Sequence, residues 1–168
     1  MSRDVDLLRK VSIIADLDDA KLHHILGVGH FVRFKAGDII MHEGENADTM
    51  YLFVEGTVEV TKNLTLIIAG HGFGQAEKSM TRLKSGTAPV FGEMSMFADE
   101  PRSATIVASE ACLLFELSRE AYDRIGRDDP ALGLILTKRI AAMLSSRVRK
   151  GNDDVLKLST ALSIALSR

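Results

Sequence analysis

The stretch Val90-Phe-Gly-Glu-Met-Ser-Met-Phe-Ala-Asp-Glu-Pro-Arg-Ser-Ala-Thr-Ile-Val107 decides how this chain is read. Phe91-Gly92-Glu93 ends an apolar strand in a glycine, whose missing side chain lets another group come close to the backbone. Glu93 to Phe97 reads as one short helical turn, and such a turn offers unpaired N–H groups to an anion. Pro101 halts the chain, and Arg102 follows with a planar, permanently charged fork that grips two oxygens of one anion at once. Glu93 repels a bare anion, so it calls for a hydroxyl donor instead. One carboxylate and one guanidinium, nine positions apart across a turn, suit a ligand with a hydroxyl on one side and a phosphate on the other. A cyclic nucleotide is such a ligand.

Phe-Gly-Glu, a small residue, an apolar pair, a short loop, then Pro-Arg, a small residue and Ala are all present. They stand here as Phe91, Gly92, Glu93, Ser95, Met96, Phe97, Pro101, Arg102, Ser103 and Ala104. In these positions the stretch resembles the phosphate-binding cassette of the cyclic-nucleotide-binding domain family, which includes catabolite activators, kinase regulatory subunits and gated channels. The resemblance implies an α+β fold: an antiparallel β-roll (a double-stranded β-helix or jelly roll) with N-terminal helices and C-terminal hinge and lid helices. It implies that Glu93 accepts the ribose 2′-hydroxyl and that Arg102 partners the cyclic phosphate, with the Ser103 hydroxyl near the same phosphate. The backbone of Gly92 and of the turn through Met94 and Ser95 helps; Phe91, Pro101 and Ala104 complete the cassette. Read without the resemblance, the same residues make an ordinary turn with a surface Glu–Arg pair.

With 168 residues and 46% hydrophobic content, the chain is long enough for one substantial core, or one domain with an appendage. Twenty-one basic residues against 23 acidic ones leave a net charge of −2, with no electrostatic reason to expect nucleic acid or an acidic membrane as partner. No run of eighteen apolar residues exists and the first residues are charged rather than signal-like, so a cytoplasmic protein is expected. Cys112, the only cysteine, lies in the apolar run Ala111 to Phe115 and reads as a buried structural thiol.

Asp4 to Leu26 reads as helical, with Leu7, Leu8, Val11 and Ile14 at helical spacing and Asp16 or Asp18 capping a second piece. From His30 to Leu117 the signals become short strands between glycine turns at Gly37, Gly44 and Gly56. Met50–Val54 reads as a strand buried on both faces, with Thr57–Val60 as its antiparallel partner across a Glu55-Gly56 turn. Residues 62–89 depart most from the family pattern and read as an enlarged hairpin; Gly70, Gly72 and Gly74 are only a weak hint of a phosphate loop. Ser118 reads as the cap of a helix through Ile125, and Asp128-Asp129-Pro130 opens a long amphipathic one. Its Leu134, Thr137, Ala141, Leu144, Val148, Gly151, Val155, Leu158, Leu162 and Ala165 alternate steps of three and four, the seam of a two-helix coiled coil, with Gly151 placed to break it in two. Packing against its own roll is the alternative for this helix.

The expected layout is therefore a cyclic-nucleotide-binding domain over residues 1–150 and a helical extension over 151–168. The domain comprises N-terminal helices 4–26, roll 30–117, and hinge and lid helices 118–150. The resemblance implies a non-enzymatic sensor for cyclic AMP or cyclic GMP, with cyclic AMP favoured and no metal. Arg147 is placed either to stack on the purine or to stand as a solvated surface arginine. About eighteen residues follow Lys150, too few for a helix-turn-helix, so the expected output is a homodimer through the C-terminal helices or an effector protein. Two rivals remain. A ligand-blind interaction domain would pair Glu93 with Arg102. A cupin-type metalloenzyme would need clustered ligands, whereas His30, His42 and His71 are scattered.

Overall fold

A computed structural model describes residues 3–67 and 73–167. Its elements in chain order are α1 (Arg3–Leu8), α2 (Asp19–Leu26), β1 (His30–Phe34), β2 (Ile39–Met41), β3 (Thr49–Glu55), β4 (Thr57–Ile67), β5 (Phe73–Lys84), β6 (Val90–Phe91), α3 (Glu93–Ala98), β7 (Thr105–Ala108), β8 (Cys112–Ser118), α4 (Arg119–Asp128) and α5 (Pro130–Leu166). The strands form two four-stranded antiparallel sheets, ordered β1-β8-β3-β6 and β2-β7-β4-β5. This is the expected antiparallel β-roll, flanked by helices at both ends of the chain.

The first sheet is a shared wall, and its strands show why. Alternate side chains of a strand leave opposite faces. In β3, Met50, Leu52 and Val54 join Leu113, Phe115 and Leu117 of β8 in a core shared with α1, α2, α4 and α5. Tyr51 and Phe53 point the other way, with Leu114, into the interior between the sheets, where they meet Phe91, Val58 and Ile106. Two cores on one sheet explain why β3 is apolar at every position rather than at alternate ones.

Several expectations need correcting. Thr57–Val60 does not pair with β3: β3 lies between β8 and β6, while β4 lies between β5 and β7 in the other sheet. Gly56, at φ 114°, carries the chain across; a Cβ there would sit 2.6 Å from Cys112 Sγ, so the crossing needs glycine. The stretch Asp4 to Leu26 is not continuously helical. Between α1 and α2 the chain turns through bonds three residues apart, Val11 to Leu8, Ile14 to Val11 and Leu17 to Ile14. These steps of three bury Leu8, Val11, Ile14 and Leu17 along one line, a spacing that tighter turns satisfy as well as an α-helix does. Arg9 closes the carbonyl ends of these turns, donating to Ala15 O and Leu17 O at 2.9 Å each.

The enlarged hairpin is a long ribbon, β4 paired with β5 from Thr57↔Lys84 to Ile67↔Phe73, with a register shift between Val60 and Thr61. Gly74 lies in β5, while Gly70, His71 and Gly72 lie outside the described residues. Helix α4 is capped by Ser118, whose side chain accepts from Ala121 N, and runs to Asp128 rather than stopping at Ile125. Asp129 caps α5, with Pro130 in its first turn, and α5 continues through Gly151 without a break. A glycine inside a helix costs about 1 kcal/mol, too little by itself to end one. Cys112 is buried, as expected, and burial pushes its thiol above the ordinary value.

Candidate functional site

Strand β6 delivers the chain to the site. Phe91 is anchored in the roll interior, its ring centroid 5.5 Å from those of both Tyr51 and Phe53. Gly92 then turns the chain at φ 80° into α3, and no other residue fits: a Cβ would lie 2.7 Å from Arg102 Nη1 and 3.2 Å from Thr49 O. Glu93 opens the helix and is 2% exposed; Asp99, at φ 57°, ends it. Arg102 comes back beside Gly92 because its backbone is tied to the turn before β3, its N–H donating to Glu45 O at 2.9 Å and its carbonyl accepting from Gly44 N at 2.9 Å.

The Arg102 side chain is 3% exposed. Its Nη1 donates to Thr49 O (2.6 Å), Gly92 O (2.7 Å) and Ser95 Oγ (2.8 Å), and its Nη2 to Thr49 Oγ1 (2.8 Å). Its Nε is buried without a hydrogen-bond partner among the described residues. Burial lowers the Arg102 pKa from its ordinary value, opposed by the charges of Tyr51, Glu45, Glu116 and Asp48. A buried cation with an unclaimed N–H is costly unless something else supplies an acceptor.

Glu93 does not pair with Arg102, as the ligand-blind reading requires. It takes a hydrogen bond from Arg147 Nη1 at 2.6 Å, while Arg147 Nη2 donates to Val90 O at 2.5 Å. Arg147 is therefore no plain surface arginine: it reaches from the middle of α5 across the mouth of the site. Burial pushes the Glu93 carboxyl above its ordinary value, and the charges of Arg147 and Arg102 pull against that rise.

These groups line a cavity of about 120 Å³. Phe91, Gly92, Glu93, Met94, Ser95, Arg102, Ser103, Ala104 and Arg147 border it; Pro101, also expected at the site, does not. Ser103 Oγ points to Met94 Sδ at 3.8 Å. The residues that sequence reading missed are apolar, Met41, Val60, Leu83 and Ile106, together with Thr49 behind Arg102. Register brings the first group together, with Val60 and Met41 both opposite Ile106. The lining thus combines charged and hydrogen-bonding groups with apolar side chains against which a flat ring can pack.

The sequence model of the cyclic nucleotide-binding domain matches residues 31–129, more than half of the chain. This chain belongs to the cyclic nucleotide-binding domain family. Membership supports a sensor or regulatory role toward cyclic nucleotides, and the regulatory domains of this family are non-catalytic. Human cGMP-dependent protein kinase 2 is 31% identical over 167 residues, covering 96% of this chain but 20% of the kinase, so the chain spans about a fifth of that relative. Among solved structures, a cyclic nucleotide-binding domain from Methylobacillus flagellatus KT superposes with a TM-score of 0.72 at 25% identity, over 91% of this chain and 80% of that one. The catabolite activator protein of Thermus thermophilus gives 0.69 at 26% identity, over 88% and 62%. In this family member, no helix among the described residues is long and apolar enough to cross a membrane.

Proposed function

We propose that the chain is a cytoplasmic cyclic-nucleotide sensor whose domain spans residues 1–150, with Arg102 holding the cyclic phosphate and Glu93 accepting the ribose 2′-hydroxyl. The observation that carries this is the unclaimed Nε of a guanidinium that is 3% exposed, on the same cavity as a buried carboxylate. An anion supplies what Nε lacks, and a neighbouring hydroxyl supplies a donor for Glu93. The apolar side chains of the lining take the purine. Cyclic AMP is the ligand we favour, although the Ser103 hydroxyl on the cavity offers a guanine amino group an acceptor. The name of the kinase relative points to cyclic GMP, so both are titrated.

Helix α5 is the lid in this reading, with α4 as hinge. Its support is a chain of contacts from the cassette: Phe97 of α3 meets Tyr122 of α4 edge-on at 5.2 Å, and Tyr122 Oη bonds Thr137 Oγ1 of α5 at 2.8 Å. A ligand that draws α3 inward moves α4 and then α5, and Arg147 must release or share Glu93 as the ribose arrives. The far half of α5 is the surface for a second copy. Val148, Val155, Leu158 and Leu162 there are 60% to 71% exposed, with Val148 and Val155 in one set of seam positions and Leu158 in the other, the placement a two-stranded coiled coil prefers. An effector protein is the other outlet.

Thermal unfolding with and without ligand tests the core of this. Cyclic AMP at a hundred times its dissociation constant stabilises the folded state by about 2.7 kcal/mol, a rise in Tm of roughly 5 to 10 °C for a chain of this size. Arg102→Ala abolishes the rise. No rise with either nucleotide at millimolar concentration would sink the reading.

A further inference from the structure

The site is built around one guanidinium, and the protein has already taken one end of it. Three acceptors share the two hydrogens of Arg102 Nη1: Thr49 O, Gly92 O and Ser95 Oγ. Among the described residues, Nη2 gives one hydrogen to Thr49 Oγ1, and Nε gives none. Thr49 alone among the described residues accepts from both terminal nitrogens, its carbonyl from one and its hydroxyl from the other, so it grips the guanidinium end-on. What stays open is the long edge, where the Nε hydrogen and the second Nη2 hydrogen run parallel at the spacing of two oxygens on one anion.

Thr49 is well placed for this work. It opens β3 opposite Ser118 of β8, so its backbone is held by the sheet rather than by the cassette. A guanidinium held only by Gly92 and Ser95 would move with the cassette and could swing in its own plane. A second anchor on the roll fixes the plane before any ligand arrives, and rigid prior placement is what gives a charged hydrogen bond its full worth.

We propose that Thr49 is a positioning residue of the ligand site: its hydroxyl and carbonyl hold Arg102 end-on, so that the Nε–Nη2 edge meets the cyclic phosphate. The proposal rests on the cyclic-nucleotide reading above and adds which face of the arginine is used and what holds it there. Thr49 acts through Arg102, without touching the ligand. Losing the hydroxyl lets the guanidinium turn and leaves an Nη2 hydrogen to compete for the phosphate in the wrong direction.

The test is calorimetric titration of cyclic AMP and cyclic GMP, and of the two phosphorothioate diastereomers of cyclic AMP, into the wild-type chain, Thr49→Val and Thr49→Ser. Each diastereomer replaces a different exocyclic phosphate oxygen with sulfur, so the ratio of their affinities reports how the guanidinium faces the phosphate. Thr49→Val keeps shape and loses the acceptor; it is expected to weaken the better cyclic nucleotide on the order of tenfold and to bring the diastereomer ratio toward one. Thr49→Ser is expected to restore both, and the ligand-free Tm of all three to agree within a few degrees. An unchanged affinity and ratio in Thr49→Val overturn the proposal. So does a loss in which the ratio is kept while the ligand-free Tm falls, since that describes a structural residue. A wild-type chain that binds neither cyclic nucleotide overturns the ligand reading itself, a result no Thr49 variant can mimic.

Discussion

Glu93 and Arg102 are buried charged residues on one cavity, and burial holds each against its electrostatic preference. For Glu93, burial raises the folded-state pKa above the ordinary carboxylate value. The folded state then binds its proton more tightly than the unfolded chain does. The stability this contributes is full below the unfolded pKa and is lost as pH rises through the folded one. Glu93→Gln has no such proton, so its stability relative to the wild type should grow as pH rises upward from about 4.5, read by chemical denaturation without ligand across that range. A constant difference would mean that Arg147 cancels the cost of burial. Both residues stand out in the sequence because Phe91-Gly92-Glu93 and Pro101-Arg102 match the cassette pattern of the family. Thr49 does not, since a threonine at the start of an apolar strand carries no chemical signal of its own.

Elements were legible where their ends announce themselves. Ser118 and Asp129 cap α4 and α5 as expected, because a side-chain oxygen before a helix has one local job, accepting from the first-turn N–H groups. Strand partners were not legible: the apolar run of β3 says that both faces are buried and leaves open which strands lie beside it. At this scale Tyr122 ties α4 to α5. Tyr122→Phe keeps the ring against Phe97 and loses the bond to Thr137, which itself stays bonded to Gly133 O at 2.8 Å. A loss of about 0.5 to 1.5 kcal/mol in unfolding free energy is expected from the urea midpoint and slope. No loss would show that the hydroxyl pair does not link the two helices.

The whole molecule has one feature that its own core leaves unexplained. Residues 148 to 167 of the chain are exposed throughout, although the helix is rich in Ser and Thr and has apolar residues at seam positions. A helix of that composition gains little from propensity and depends on packing its apolar side. If that packing is a second copy, sedimentation should give a dimer and Leu158→Lys a monomer. Because α5 also carries Arg147, dimer and ligand share an element. Ligand affinity should then differ between protein concentrations below and above the dimer dissociation constant, by the factor that ligand in turn changes dimer affinity. A monomer at every concentration, or equal affinities, would confine α5 to its own roll.

The amino-acid sequence by itself determined the local chemistry: a glycine turn, a carboxylate and a guanidinium at fixed spacing, capped helices and strands buried on two faces. These depend on neighbours a few positions away, and short-range rules reach that far. Only the tertiary structure decided that Arg147 meets Glu93, 54 positions distant, and that Thr49 holds Arg102 across 53. Those contacts exist because two sheets and the long C-terminal helix bring remote segments to one cavity, and the route of the chain through that packing is written in no single stretch of it.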